Sequence, residues 1–515
     1  MDKVVTIGIG APTFADVVAV ARHDAHIIIA EEAWAKVRNS RAVIDSLAED
    51  ARPHYGISTG FGALATRHIP VASRTQLQRS LIRSHAAGSG PEVEREVVRA
   101  LALLRISTLA TGRTGIREQT LRAYLAMINS GIAPVVHEYG SLGCSGDLAP
   151  LAHCALALMG EGTVRDAAGG LMPTAQAFAA AGIEPVTLAE KEGLALINGT
   201  DGMLGMLILA IEDLRALLRI ADIAAAMSIE GLLGTDDVFA DDLHVLRPHP
   251  GQRASATNLR MIMAGSPIRE SHRDPLACTR VQDAYSLRCS PQVAGAVRDT
   301  VDHAERVATI ELGSAIDNPV VTLDHRVESN GNFHGAPVAY VLDFLAIAAA
   351  DLASIAERRT DRFLDKARNG GLDPFLANDP GVDSGHMIAQ YTQAAIVSEL
   401  KRLAVPASVD SIPSSAMQED HVSMGWSAAR KLRRTIDGLT RVLAVELLTA
   451  ARGLELRAPI MPAPATAAVI EVVRRAGVPG PGADRWLAPE IEAVVQLVRD
   501  GQVVAAVEAV TGPLN

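Results

Sequence analysis

The chain has 515 residues, 48% of them hydrophobic but only 3% aromatic. That is material for several average domains and for a core of Ala, Leu, Val and Ile, which suits helix packing. A formal net charge of −11 argues against a nucleic-acid partner, because such proteins carry basic patches. No run of about 20 apolar residues is free of charge, glycine and proline, so no membrane span is expected.

The first residues lack a basic-then-apolar leader. The four cysteines, Cys144, Cys154, Cys278 and Cys289, show neither C-x-x-C nor metal-ligand spacing. They are expected to be free thiols in a cytoplasmic protein, the last three as small buried hydrophobes. The fifteen histidines are too scattered for a ligand motif. Neither a metal nor an external cofactor is expected.

In chain order, residues 4–9 read as a short strand. Tyr55-Gly56-Ile57-Ser58-Thr59-Gly60-Phe61-Gly62 then forms a glycine-rich loop able to close over a pocket. Residues 143–150, Gly-Cys-Ser-Gly-Asp-Leu-Ala-Pro, open an apolar helix near Leu148. The stretches 202–233 and 338–362 are long, rich in Ala, Leu and Ile, and sparsely charged. Helices of that kind must be buried by other helices. A further short strand is expected at 320–323, after Asn318-Pro319. Leu432, Ile436, Leu439, Leu443 and Leu447 make one helical stripe, and Ile491, Val494, Val495 and Val498 another. The fold expected is mainly α, with a long-helix bundle core and a loop-rich N-terminal region. Its divisions are 1–201, 202–454 and a proline-punctuated 455–515.

Cys144-Ser145-Gly146 suits a backbone reaction. The amide nitrogen of Gly146 can attack the carbonyl carbon of Cys144, because glycine has no Cβ to obstruct so tight a turn. Loss of one water closes a five-membered ring. Loss of a second, from Ser145, leaves a methylidene electrophile. Other chemistries fail on spacing. A nucleophile elbow requires glycine where Asp147 stands, and neither a phosphate loop nor a dinucleotide loop matches.

The run from Gly140 to His153, Gly-Ser-Leu-Gly-Cys-Ser-Gly-Asp-Leu-Ala-Pro-Leu-Ala-His, resembles the signature of the aromatic amino acid ammonia-lyases. These enzymes form 4-methylidene-imidazol-5-one (MIO) from Ala-Ser-Gly. Cys144 stands where alanine is usual, and the ring takes only its backbone, so its side chain is expected to be a bystander. The resemblance extends over nearly the whole chain. It implies a homotetramer round a central bundle, with each site drawn from three subunits.

The resemblance also implies roles for single residues. Tyr55 becomes the base. Its reference pKa of about 10 must be lowered by positive surroundings such as helix N-termini. Gln282, Tyr285 and Arg288 match Gln-Asp-x-Tyr-Ser-x-Arg, with Arg288 on the substrate carboxylate and Tyr285 handling protons or orienting groups in a neighbouring site. The planar guanidinium suits two-point contact with a carboxylate. Asn198 bonds the ring and substrate, with Asp201 following where glutamine is common. Phe333, in Asn332-Phe333-His334, is a pocket wall. Taken singly, each residue has an ordinary explanation as a loop anchor, an ion-paired arginine or a core residue.

Ser84-His85-Ala86-Ala87-Gly88 is similar to the histidine-directed members of the family. Glu419, in Pro-Ser-Ser-Ala-Met-Gln-Glu-Asp-His, offers a carboxylate for an imidazole or an ammonium group, though it equally reads as an ion-paired residue at a helix start. Met417 there replaces the family's asparagine. The reaction expected is L-histidine to trans-urocanate and ammonia. A tyrosine or phenylalanine lyase and a 2,3-aminomutase remain open. Pro413-Ser414-Ser415-Ala416-Met417 is also similar to the signature loop of the fumarase and aspartase group, but the match stops there. A non-enzymatic helical scaffold would explain the helices and not the loops.

Overall fold

The computed structural model of the protein describes residues 4–50, 52–274, 278 and 280–515. Helices dominate, and the chain divides into two compact units. The first comprises Met1–Leu209, Ala304–Asp343 and Pro406–Arg430; the second comprises Ala210–His303, Phe344–Val405 and Lys431–Asn515. Three long helices, Asp201–Gly231, Ala336–Leu364 and Gly425–Glu455, each start in the first unit and continue into the second. The divisions expected from sequence follow chain order, whereas these units follow contacts. A helix that crosses between units leaves no break in hydropathy to mark the crossing.

The long apolar stretches form the expected helices to within a few residues. Leu432, Leu439, Leu443 and Leu447 are fully buried on Gly425–Glu455, and Ile436 nearly so. Ala336–Leu364 is long and apolar enough to cross a membrane, but 61% of its most apolar window is buried within the structure, as a core helix requires. In the second unit a buried ion pair ties the long helices together. Glu446 accepts from Ser228 Oγ at 2.8 Å and from Arg359 Nε and Nη2 at 2.5 and 3.0 Å. Arg359 Nη1 also reaches the Ser286 carbonyl and Ser290 Oγ, fixing the short helix Tyr285–Arg288.

Strands are short. Val4–Ile7 pairs in parallel with His26–Ile29 and stops where Gly8 takes a positive φ. Val320–Val321 pairs with Val327–Glu328, shorter than expected because Thr322 turns the chain by bonding Asp324 and Arg326. Three helices of the first unit, Arg74–His85, Leu148–Leu158 and Glu192–Ile197, pack on one another and carry much of the candidate site.

Cys154 is buried as expected, but Cys278 and Cys289 are only half-buried. Cys289 caps the single-turn helix Tyr285–Arg288, whose Tyr285 is 70% exposed, and the Cys278 N–H donates to the Asp274 carbonyl.

Replacing Arg359 with methionine strands the Glu446 carboxylate in the core. A loss of about 3–5 kcal/mol is expected, since breaking a buried pair leaves an uncompensated charge. The check is the urea midpoint of the helical circular-dichroism signal, which should fall clearly below that of the wild type.

Candidate active site

The turn at 143–147 is shaped by two glycines in the left-handed region, Gly143 at φ +69° and Gly146 at φ +76°. Gly146 lies in a parallel bridge against Gly199, and a Cβ built on it would meet the Gly199 carbonyl oxygen at 2.0 Å. Only glycine fits that contact. Asp147 N–H donates to the same carbonyl at 2.7 Å. The Asp147 carboxylate is fully buried and accepts from Ser141 Oγ at 2.9 Å and from Met203 N–H at 2.8 Å. Burial raises its pKa to about 7 against those donors. The far side of the turn is held by the 422–426 segment. Ser423 Oγ donates to the Gly143 carbonyl, Met424 N–H to the Leu142 carbonyl and Trp426 Nε1 to the Glu138 carbonyl.

Ser145 is half-buried at the tip of this turn and opens on two cavities of about 420 and 560 Å³. Both are also lined by Tyr55, Gly62 and Glu419. The first adds His85 and Asn198, and the second adds Cys144 and Phe333. Seven predicted residues of the first unit are therefore brought together.

Their surroundings differ. The Tyr55 hydroxyl accepts from Gly62 N–H at 3.4 Å. Burial and the Glu419 charge push its pKa up, opposite to what a base at neutral pH requires. His85 Nδ1 lies 2.9 Å from the Leu81 carbonyl. A carbonyl can only accept, so Nδ1 carries the proton and Nε2 is an acceptor in the neutral ring. Burial holds the His85 pKa below the usual imidazole value. Asn198 caps Glu192–Ile197 and donates from Nδ2 to the Asn318 carbonyl at 3.2 Å. Its own carbonyl takes a bond from the fully buried Arg105, which also lies 3.4 Å from Asp201. Asp201 thus faces Arg105 behind Asn198 and does not line either cavity.

Glu419 sits in an isolated bridge with Ser414, well before the helix that starts at Gly425. Among the described residues it forms no ion pair. Its Oε2 accepts from Ser414 Oγ at 3.2 Å and from Cys144 Sγ at 3.3 Å. Burial, and then the Glu419 charge, push the Cys144 thiol up to about 12, so it is protonated and unreactive at neutral pH. Met417 is exposed and lies outside both cavities. With Ser415 and Ala416 it forms three successive non-glycine residues at positive φ, a strained arrangement typical of functional loops.

The remaining three predicted residues belong to the second unit and form a cluster of their own. The Arg288 guanidinium lies 4.6 Å over the Tyr285 ring and donates to Gln282 Oε1 at 2.9 Å. Buried Asp283 locks this turn through Thr235 N–H and Arg280. None of the three lines the two cavities.

Sequence reasoning missed several lining residues. Leu81 precedes His85 by one helical turn and Ile197 adjoins Asn198, so each was reachable by spacing. Arg67, alone in a loop, carried no such signal. In the second cavity His334 and His421 stack at 5.7 Å with rings nearly parallel. Among the described residues no group of three or more His, Cys, Asp or Glu could hold a metal ion.

This geometry accords with the comparisons with known proteins. The aromatic amino acid lyase family matches residues 13–475. The chain belongs to that family. It is 64% identical over 510 residues to the histidine ammonia-lyase of Streptomyces avermitilis, covering 99% of each chain. Its fold is similar to the solved histidine ammonia-lyase of Trypanosoma cruzi, with a TM-score of 0.90 at 38% identity over 99% of this chain and 96% of that one. The tyrosine aminomutase of Streptomyces globisporus gives 0.93 at 39% identity, over 99% and 100%.

Asp147 offers a test of the buried turn. Its folded pKa, about 7, lies above the ordinary aspartate value of 3.8, so the folded chain binds this proton more tightly. The associated stability is complete below the lower value and is lost as pH rises through the upper one. Asp147→Asn keeps both bonds, the amide oxygen accepting from Met203 and the NH₂ donating to Ser141. Between about pH 5 and 7.5 the variant's unfolding midpoint should therefore fall less than the wild type's. Equal slopes would show that Asp147 does not titrate in this range.

Proposed function

We propose that the protein eliminates ammonia from L-histidine to give trans-urocanate, the first step of histidine degradation. The observation that carries this reading is the grouping of Ser145, His85 and Glu419 round one cavity in a chain 64% identical to a histidine ammonia-lyase. Glu419 and the Nε2 of His85 both accept hydrogen bonds. Such a pair suits an imidazole, whose ring carries one N–H donor when neutral and two when protonated, better than a phenyl ring, which has none.

Cys144, Ser145 and Gly146 would form and hold the MIO group. Gly146 fits that task, with a positive φ and no room for a Cβ against Gly199. The group supplies an electrophilic carbon that draws electron density from the substrate. Asn198 presents its side-chain amide beside it. Tyr55 takes the β-proton in this reading. Burial and Glu419 oppose its ionisation, so the favourable positive charge must come from the substrate ammonium or from another copy of the chain.

The protein assembles as a homotetramer in this reading, with Tyr285 and Arg288 serving a neighbouring copy's site. Two features support that assembly. Tyr285 is 70% exposed, and Tyr340, Phe344 and Ile347 leave a half-exposed apolar stripe on one helix. A second reading, a 2,3-aminomutase, is favoured by the likeness to the tyrosine aminomutase structure.

Separate incubation with L-histidine, L-tyrosine and L-phenylalanine decides the substrate. Urocanate should form fastest, and faster release of coumarate, cinnamate or a β-amino acid would overturn the assignment. Ser145→Ala should fold, yet lose nearly all activity and fall short of the two-water mass loss of the wild type, because the second water needs the serine hydroxyl.

Arg288→Lys keeps the charge and loses the planar two-point fit. A fall in kcat/KM equivalent to about 2–4 kcal/mol is expected, as for truncating a charged hydrogen-bonded pair. Unchanged kcat/KM would give Arg288 a structural role only.

A further inference from the structure

Cys144 lends its backbone to the proposed ring, and the sequence alone makes its side chain a bystander. The structure gives that side chain a partner. Sγ lies 3.3 Å from Oε2 of Glu419, 275 residues further along the chain. Cys144 is 7% exposed and packs with Val422 and Met424, flanked by Leu142 and Ala407. Its place is therefore fixed by apolar neighbours on the same segment that carries Glu419.

Glu419 has few other restraints. The backbone of its segment is held by Ser414 N–H to the Glu419 carbonyl at 2.8 Å and by Glu419 N–H to the Ser414 carbonyl at 3.2 Å. Between these residues run three at positive φ, Ser415 to Met417. The carboxylate itself accepts only from Ser414 Oγ and Cys144 Sγ among the described residues, and both bonds fall on Oε2. An ionised carboxylate can accept about four hydrogen bonds. Occupying one oxygen fixes its rotation and leaves the other for a ligand in the cavity that Glu419 lines.

We infer that Cys144 is a positioning residue, whose S–H, together with Ser414, holds Oε2 of Glu419 so that Oε1 meets the substrate side chain. The role rests on the reading of Glu419 as the substrate's hydrogen-bond acceptor. The thiol suits it, because burial keeps it protonated and hence a donor across the working range. Alanine at 144 preserves the backbone and removes the donor. Serine preserves a donor of similar reach.

Two measurements test the inference, and the first is independent of any activity. The Raman S–H stretch of Cys144, isolated by difference against Cys144→Ala, should lie at the low frequency of a bonded thiol. It should move upward in Glu419→Gln, whose neutral amide is a weaker acceptor. An unmoved band removes the contact and the inference with it. The second is kinetic, made with whichever of L-histidine, L-tyrosine and L-phenylalanine the wild type deaminates fastest, on samples shown by intact mass to have lost two waters. Cys144→Ala should lower kcat/KM by about threefold to tenfold, the worth of one hydrogen bond, chiefly through KM. Cys144→Ser should return KM to within about twofold of the wild type. Equal KM in the wild type and Cys144→Ala, or no rescue by serine, overturns the positioning role even if the band shifts. A wild type that prefers another amino acid overturns the histidine assignment alone.

Discussion

The contact between Gly146 and Gly199 is the constraint on which the candidate site depends. Two backbones approach so closely that a single methyl group on either would intrude on the other or on Arg105 behind it. The approach sets Ser145 at the tip of a turn rather than along a helix, and it places Asn198 beside the serine. Long helices begin around the same turn. Met203 donates its N–H to Asp147, Gly335 to the Gly143 carbonyl and Met424 to the Leu142 carbonyl. Each belongs to, or directly precedes, the first turn of a helix of 29 to 31 residues. Helix N-termini carry partial positive charge, so the turn lies where backbone dipoles favour negative charge.

Behind that surface lies a layer of buried ions that lines neither of the two cavities. Lys191 pairs with Asp317 at 2.5 Å, both fully buried, and Arg105 spans the Asn198 and Ile316 carbonyls near Asp201. Burial lowers the lysine pKa and raises those of both aspartates. Pairs of this kind add little net stability, because desolvation offsets their attraction, and losing one partner is costly. Their effect here is geometric: Arg105 fixes the carbonyl of the residue whose side chain faces the cavity.

Much of this was legible in the sequence, for unequal reasons. The long helices followed from uninterrupted apolar composition, and the 432–447 stripe from its spacing. The serine turn was readable because the proposed ring chemistry needs a glycine after the serine, and the sequence has one at 146. His85 and Glu419 could be named only through resemblance, since 334 positions separate them and no local pattern joins them. The interleaving of the two units was not legible, because helices carry the chain across without a change in composition. Nor was the direction of the Tyr55 shift. It depends on burial first and then on Glu419, and both act on the tyrosine only through the fold. The bond from Cys144 to Glu419 was hidden for the same reason.

The clamps on the 138–147 segment also bear on the order of events during synthesis. Gly143 is held by Ser423, 280 residues away, and Glu138 by Trp426, 288 residues away. Contacts of such long range form late, since the intervening chain must first be ordered. A nascent chain that has emerged only as far as residue 400 therefore carries all three residues of the triad and lacks half of its mould. Any backbone cyclisation at 144–146 is thereby deferred until the polypeptide is nearly complete. The proposed ring would then mature last, in a protein already able to enclose it.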